Sequence, residues 1–310
     1  GRHYRRQGAQ DGVMSVFPIL AALAIVSPKD GATVSAQQPL RIVWDGPTNA
    51  VYLLSVAREG TDPQVFSLSN RVDAWLANLE NASRFDWSVR VAGTLDSATA
   101  HFVTKDELPR RLFAEGVANF RDFGGWRTDD GRAVRQGRLV RSAALRDRAT
   151  ASGIATLKTD FAIRTDIDLR PARDVLPTRG SVLGEDVRWR NIPFDSGKHI
   201  GDAVRGREPF ARIFGLLTKK ENYPVIFEDA DNPVRSDTLA FLLNGLLGVS
   251  EADLRRNWSS SKSAFDGLVA SLQDFPGATL QARIAAYAQG CGIDASEIET
   301  FRSLMLEKKQ

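Results

Sequence analysis

The apolar pattern changes once along the chain, at the charged segment 105–111, and this change constrains the fold more than any other feature. Before it, short runs with alternating apolar and polar residues are separated by turn-forming clusters, a pattern typical of a small β-sandwich. After it, strand-like and helix-like runs alternate, which predicts an α/β domain. We therefore expect a β-sandwich over residues 25–104 and an α/β domain over residues 112–310.

The sequence pattern predicts where the strands and helices of both domains lie. The sandwich strands are predicted at residues 40–44, 51–56, 85–91 and 98–103. The strands of the second domain are predicted at residues 137–142, 165–170, 187–192 and 223–227. Apolar residues at helical spacing then predict helices at residues 238–247, 264–272, 280–289 and 296–307.

Residues 1–24 combine a basic start, an apolar run over Val13 to Leu20 and small residues at Ala22 and Ala24. This order is typical of a signal peptide and predicts an exported or periplasmic protein. The alternative is a leader that runs directly into the first sandwich strand, in a cytoplasmic protein. Pro18 interrupts the run, which is shorter than the roughly 18 apolar residues of a spanning helix, so we expect no membrane span.

Composition excludes several other classes. The net charge of +3, from 41 basic and 38 acidic residues, is too small to indicate a nucleic-acid partner. The single cysteine, Cys291, excludes an intramolecular disulfide and a multi-cysteine metal site. The three histidines are far apart in sequence, and we expect neither a metal nor another cofactor.

Residues 27–34, together with Trp44 and Trp87, resemble the immunoglobulin-like or fibronectin-like modules that precede enzymes in many bacterial exported proteins. We expect both indole rings to lie in the sandwich core rather than to bind a ligand. The resemblance implies a structural or positioning domain.

Several segments of the second domain together resemble the bacterial protein-tyrosine and phosphoinositide phosphatases that use a cysteine nucleophile. The resemblance covers about residues 116–307, and its segments are Asn119 to Trp126, Gly137 to Ala143, Asp168 to Arg170, Pro193 to Asp195 and Gly292 to Arg302. It implies a phosphatase fold, a phosphorylated protein or phosphoinositide as substrate, and no cofactor.

In that family, the strand that corresponds to Tyr223 to Phe227 runs into a phosphate loop of the form His-Cys, five residues, Arg-Thr-Gly. The thiolate attacks phosphorus, while backbone N–H groups and the arginine hold the phosphate oxygens. Here Arg235 stands at the arginine position and Ser236 replaces the threonine, but Asp229 stands at the nucleophile position. The resemblance therefore implies a phosphatase-like protein without its nucleophile.

The rest of the loop departs from the family as well. Glu228 replaces the histidine, Asn232 a glycine, Val234 an acid and Asp237 the closing glycine, while Pro233 removes one backbone N–H group. Ala230 and Asp231 complete the loop. Its ten residues carry four carboxylates and one arginine. Two like charges about 4 Å apart repel by about 4 kcal/mol at an effective dielectric constant near 20, so we expect weakened phosphate binding.

The loop predicts a catalytically inactive pseudophosphatase, or an inactivated form of a phosphatase that used position 229. Cys291 lies 62 residues downstream of position 229 and is interpreted as a structural thiol. The alternative is an active, metal-assisted phosphatase, because Asp229 and Asp231 superficially resemble the Asp-x-Asp signature of haloacid-dehalogenase phosphatases. That family places its signature on the first strand of its domain, and it would not explain residues 119–125. Clustered carboxylates are also often simply solvated.

Four further residues are assigned by the resemblance. It implies that Arg121 and Asp122 brace the pocket, and that Asp168 and Arg170 lie beside it at a strand end. Taken alone, residues 119–125 favour a glycine turn and a solvated ion pair, and only the other matching segments support the pocket role. Asp195 and His199 either border the pocket or belong to a solvated loop.

Overall fold

The computed structural model describes residues 23–146, 148–175, 180–194, 207–230 and 233–309. The chain forms two compact units. Of the described residues, the first contains 23–32, 41–74 and 85–102, and the second contains 33–40, 75–84 and those from 103 onward. The leader predicted over residues 1–24 lies outside the described residues except for its last two, and Ala24 begins the first strand.

In the described part of the chain, eight strands precede residue 105 and form two sheets. In chain order they are β1 Ala24–Ser27, β2 Ala32–Val34, β3 Leu40–Asp45, β4 Val51–Arg58, β5 Gln64–Ser69, β6 Asp73–Leu76, β7 Arg84–Val91 and β8 Ser97–Thr104. One sheet has the order β1-β3-β6 and the other β2-β8-β7-β4-β5. β4 pairs antiparallel with both β5 and β7. The predicted all-β architecture is confirmed.

Alternate residues of these strands are buried, as the period of two requires. On β4 the buried residues are Tyr52, Leu54 and Val56. Trp44 and Trp87 are 1% and 2% exposed, so both belong to the core as expected.

The second unit is built on a five-stranded sheet. Its strands are β9 Arg121–Asp122, β10 Leu139–Ala143, β11 Thr165–Asp168, β12 Arg188–Asn191 and β13 Val225–Asp229. Their order is β12-β11-β13-β10-β9, and only β9 pairs antiparallel to its neighbour. The carboxyl ends of the four parallel strands therefore lie along one edge, where ligand sites of open α/β sheets are found.

Helices cover both faces of this sheet. They are α1 Ala151–Thr159, α2 Ala172–Val175, α3 Arg207–Leu217, α4 Val234–Leu247, α5 Glu251–Asn257, α6 Lys262–Ser271, α7 Leu280–Gly290 and α8 Ala295–Met305. Leu157 of α1 belongs to the core that includes Val140 and Ile226. Phe227 faces the opposite, larger core, which includes α3, α4, α7 and α8. α4 is buried nearly all round, because it runs through the middle of this core. The predicted α/β architecture is confirmed.

Candidate active-site loop

The Asp229 carboxylate lies between the end of β13 and the start of α4, where it binds three donors. Its Oδ1 accepts hydrogen bonds from the Ala230 N–H at 2.7 Å and from Arg235 Nη1 at 3.1 Å. Its Oδ2 accepts from the Ser236 N–H at 3.1 Å. We call these two N–H groups and the guanidinium the anion cradle, and the carboxylate of Asp229 occupies it. Asp231 and Asn232 lie outside the described residues.

This position also caps α4. The first N–H groups of a helix lack partners within the helix, and a negative charge near them is favourable. Pro233 stands at the N-cap position and makes no side-chain capping bond. Asp229 supplies the missing acceptor from the preceding strand, where a helix N-terminus next to an arginine would otherwise attract an anion.

Burial disfavours the ionised form of the Asp229 carboxyl. The side chain is 1% exposed, and this burial raises the pKa of Asp229 above its ordinary value. The N–H groups of Ala230 and Ser236 and the charge of Arg235 act in the opposite direction, because they stabilise the ionised form.

The space next to the cradle is small. We call it the loop cleft, and it is lined by Asn119, Arg121, Arg141, Ser142, Ala143, Ala230, Pro233, Ser236 and Ser259. Its free volume is about 10 Å³. That volume admits about one water molecule, so a phosphate group does not fit while the Asp229 carboxylate occupies the cradle.

Glu228 faces away from the cradle. Consecutive strand residues point to opposite faces of a sheet, so Glu228 lies with Asp166 on the face opposite Asp229. Glu228 Oε2 accepts from the Leu145 N–H at 2.7 Å, and Asp166 Oδ2 accepts from Ser181 Oγ at 2.5 Å. Asp166 Oδ1 accepts no hydrogen bond from the described part of the chain, and the carboxyl groups of Asp166 and Glu228 act on each other as neighbours.

Burial is the largest influence on the pKa of both carboxyls. Burial raises the pKa of Asp166 to about 6. Burial, and then the adjacent Asp166, raise the pKa of Glu228 well above its usual range. The count of four loop carboxylates thus overstates the negative charge at the cleft, since Glu228 lies on the opposite face of the sheet and burial disfavours its ionised form.

Asp237 is also neutralised. It is fully buried, and its carboxylate forms an ion pair with Arg141 of β10. It accepts from the Ser259 N–H at 3.0 Å and from the Ser260 N–H at 2.8 Å, and from both serine hydroxyls. Arg141 Nη2 additionally donates to the Asn257 carbonyl at 3.0 Å. Asp237 therefore joins β10, α4 and the segment after α5.

The remaining loop residues predicted from sequence lie around the cradle. Arg235 is 24% exposed and forms an ion pair with Asp229, and Ser236 Oγ donates to the Pro233 carbonyl at 3.0 Å. Ala230 and Pro233 line the loop cleft. Val234 is the first residue of α4.

Arg121 and Asp122 form the short strand β9 and point in opposite directions. Arg121 lines the loop cleft, whereas Asp122 is buried. Asp122 accepts from the Gly124 and Gly137 N–H groups, both at 2.7 Å, and from Arg110 Nη1 at 2.5 Å. Asp122 thus holds the backbone of the segment from which Arg121 projects.

Asp168 and Arg170 lie at the carboxyl end of β11, beside Glu228 rather than in the loop cleft. Arg170 Nη2 donates to Asp168 Oδ2 at 2.8 Å, and Arg170 Nε donates to Asp168 Oδ1 at 3.0 Å. In the register of the sheet, Asp168 is opposite Glu228. Asp195 and His199 lie outside the described residues.

Several residues of this region had no role in the sequence interpretation. They are Arg110, Arg141, Asp166, Ser259 and Ser260. The strand alternation could have indicated that Asp166 shares a face with Glu228, but the partners of Arg141 depend on long-range folding.

The described ranges contain neither a candidate metal site nor a helix able to span a membrane. No group of three or more histidine, cysteine, aspartate or glutamate side chains there is arranged to hold a metal ion. Among the helices of α1 to α8, none has the length and apolar character needed to cross a membrane.

The parallel sheet, the loop leading into α4 and the arginine at its start define a phosphatase-type domain. A sequence model of the tyrosine phosphatase family matches residues 112–306, and the chain belongs to that family. A structure search matches the core catalytic domain of the PP-IP phosphatase SIW14 from S. cerevisiae, determined in complex with citrate. The two share 14% identity with a TM-score of 0.28, over 53% of this chain and 86% of that one. A search of curated proteins found no match.

Proposed function

We propose that this protein is a pseudophosphatase, a member of the tyrosine phosphatase family that does not hydrolyse phosphate esters. One observation carries the proposal: Asp229 stands at the nucleophile position, and its carboxylate is bound by Arg235 and the Ser236 N–H. These are the groups that the family resemblance assigns to the substrate phosphate. The chain thus lacks the thiolate and has its own anion in the phosphate position.

An aspartate can be a nucleophile in other phosphatases, but the geometry here disfavours it. Both carboxylate oxygens accept hydrogen bonds from groups that a phosphate would need. To bind a phosphate in the cradle, the protein must first displace Asp229 and leave its charge buried nearby. An unpaired buried charge costs several kcal/mol, so the Asp229 carboxylate competes with a substrate phosphate for the cradle.

The test is hydrolysis of an aryl phosphate, with and without magnesium. We compare the parent protein, Asp229→Asn, and a variant that combines Asp229→Cys, Glu228→His and Asn232→Gly. We expect no turnover by the parent and measurable turnover by the combined variant. The matched control adds Arg235→Ala to the combined variant and should abolish the recovered turnover.

Magnesium-dependent turnover by the parent that Asp229→Asn abolishes would overturn the proposal. It would make Asp229 the catalyst, in agreement with the metal-assisted alternative.

The family also suggests a phosphorylated ligand, a protein or a phosphoinositide, held without turnover. The sheets of β1 to β8 are proposed to be an immunoglobulin-like domain that positions the phosphatase-type domain. Binding of a phosphorylated peptide or a phosphoinositide to the full chain, without release of phosphate, tests the proposed ligand.

A further inference from the structure

Arg111 and Arg121 face each other across a short antiparallel bridge in the second unit. The flanking hydrogen bonds run from the Leu112 N–H to the Phe120 carbonyl at 3.0 Å and from the Asp122 N–H to the Arg110 carbonyl at 3.1 Å. This pattern makes Arg111 and Arg121 a non-hydrogen-bonded pair, the kind whose Cα atoms are about 4.5 Å apart and whose side chains lie closest. Like charges at such directly opposed positions are destabilising.

The neighbouring pair, on the opposite face of the bridge, combines a positive and a negative charge. Arg110 and Asp122 are buried and form an ion pair at 2.5 Å. Arg110 also donates to the backbone carbonyls of Leu79 and Asn78. One face of the bridge is therefore neutralised, and the other carries two adjacent positive charges.

Neither Arg111 nor Arg121 has an acidic partner within the described ranges: no ion pair or hydrogen bond of either guanidinium occurs there. Arg121 is half-buried, and burial lowers the pKa of its guanidinium. The positive charges of Arg141 and Arg111 act in the same direction. The Asp237 carboxylate acts in the opposite direction, but it is already ion-paired with Arg141. Arg121 is thus a partly desolvated cation without an ion-pair partner of its own in the described part of the chain, and an anion would stabilise it.

A groove opens in front of this pair. We call it the arginine groove. Its volume is about 380 Å³, and Gln37, Gln38, Glu107, Leu108 and Pro109 line it together with both arginines. Its one carboxylate, Glu107, already accepts from Ser35 Oγ and lies 3.9 Å from Lys105 Nζ. The volume is within the usual range of small-molecule sites, in contrast to the loop cleft.

We propose that the arginine groove binds the phosphate group of a small phosphorylated molecule through Arg111 and Arg121. Planar guanidinium groups match phosphate oxygens in paired hydrogen bonds, and two of them balance a doubly charged phosphate. Arg121 also lines the loop cleft, so the bound phosphate lies beside the occupied cradle and not in it. The proposal concerns binding only and does not depend on the absence of hydrolysis.

Isothermal titration calorimetry with inorganic pyrophosphate at low ionic strength tests the site. We expect Arg111→Gln and Arg121→Gln each to weaken binding about tenfold or more, since each removes charge-assisted hydrogen bonds. Arg90→Gln removes an equal charge from an exposed position on β7 and should leave the affinity within about twofold of the parent. Arg235→Gln should likewise have little effect, because Asp229 already neutralises Arg235.

Three results would overturn the proposal. They are undetectable binding by the parent, an affinity that Arg111→Gln leaves unchanged, and binding that Arg235→Gln abolishes, which would place the anion in the loop. Arg111 is exposed, so its variant should fold, and equal melting temperatures with and without the substitution would confirm this. A phosphotyrosyl peptide that binds at least tenfold more tightly than pyrophosphate, with the same arginine dependence, would replace the small-molecule assignment with a protein partner.

Discussion

Asp229 Oδ1 and Arg235 Nη1 are 3.1 Å apart, and this ion pair lies where the family resemblance places the nucleophile and the phosphate-binding arginine. The pair has two effects at once. It fills the anion cradle with a carboxylate of the chain itself, and it neutralises the arginine that would attract a phosphate. Under the proposed function, this one side chain accounts for both the absence of hydrolysis and the small volume of the loop cleft.

Replacing Asp229 with alanine should open the anion cradle. The variant leaves Arg235 and the Ser236 N–H without their acceptor, so we expect the free energy of unfolding to fall by about 1–3 kcal/mol. Added inorganic phosphate should restore part of this loss, because it can occupy the vacated cradle. Urea unfolding with and without phosphate measures both effects.

Phosphate binding in the arginine groove must be eliminated in that experiment, because it would also stabilise the protein. Both proteins are therefore compared in an Arg111→Gln background, where the phosphate effect should be confined to Asp229→Ala. Equal phosphate stabilisation of the two proteins would contradict the view that Asp229 occupies an anion site.

Asp237→Ala should be severely destabilising. Removing one partner of a buried ion pair costs about 3–5 kcal/mol, because it leaves Arg141 charged and buried, and it also leaves the Ser259 and Ser260 N–H groups without acceptors. The matched control is Asp253→Ala, which breaks an exposed pair with Arg256 and should cost under about 1 kcal/mol. Chemical denaturation of the two variants gives the comparison, and similar losses would contradict the role of Asp237.

The Asp166 and Glu228 pair predicts a loss of stability with rising pH. The folded-state pKa of Asp166 is raised to about 6, so the folded protein binds more protons than the unfolded chain between about pH 4 and 6. Stability is therefore greatest below the unfolded pKa and decreases as pH rises through 6, by an amount on the order of 3 kcal/mol. Glu228, whose pKa is raised further, extends the decrease to higher pH.

Asp166→Asn should flatten this dependence and be relatively more stable at pH 8, as measured by urea unfolding from pH 4 to 8. Asp186→Asn, at a largely exposed position, should preserve the parent profile. A parent profile that is flat between pH 4 and 8 would show that the pair is not protonated in the folded state.

Cys291 should be a slow nucleophile in the folded protein. Burial raises the pKa of its thiol, and it packs against the core at the end of α7. Reaction with a disulfide reagent at pH 7.5 should therefore be slower than in the urea-unfolded chain. Cys291→Ser should leave the aryl-phosphate assay unchanged, and loss of any turnover on this substitution would assign the thiol a catalytic part.

Elements with strong local patterns could be predicted from the sequence. β4, β7 and β8 have alternating apolar residues, and α4, α7 and α8 have apolar residues at helical spacing, so both sets were found to within a few residues. α1 was missed because its apolar face is weak, although the Thr150 side chain caps it by accepting from the Gly153 N–H. β9 was missed because its two residues depend on pairing with β10 and not on a pattern of their own.

The candidate active-site loop could be predicted from the sequence only in part. Its position between β13 and α4 could be predicted from the sequence, whereas the surroundings of its charged residues could not. Arg141 neutralises Asp237 from 96 residues away, which no local pattern indicates. Burial and Asp166, on a different strand, raise the pKa of Glu228, an effect that charge counting leaves out.

The contacts of Asp237 also bear on which residues this loop can accept. At the position where the family resemblance places a glycine, the Asp237 carboxylate contacts Arg141 of β10 and the segment after α5. A glycine there would leave the Arg141 guanidinium and two backbone N–H groups in the interior without their acceptor. The contacts of Asp229, by contrast, are all made within the loop and the first turn of α4. The last residue of the loop is therefore more tightly constrained by distant segments than position 229 is.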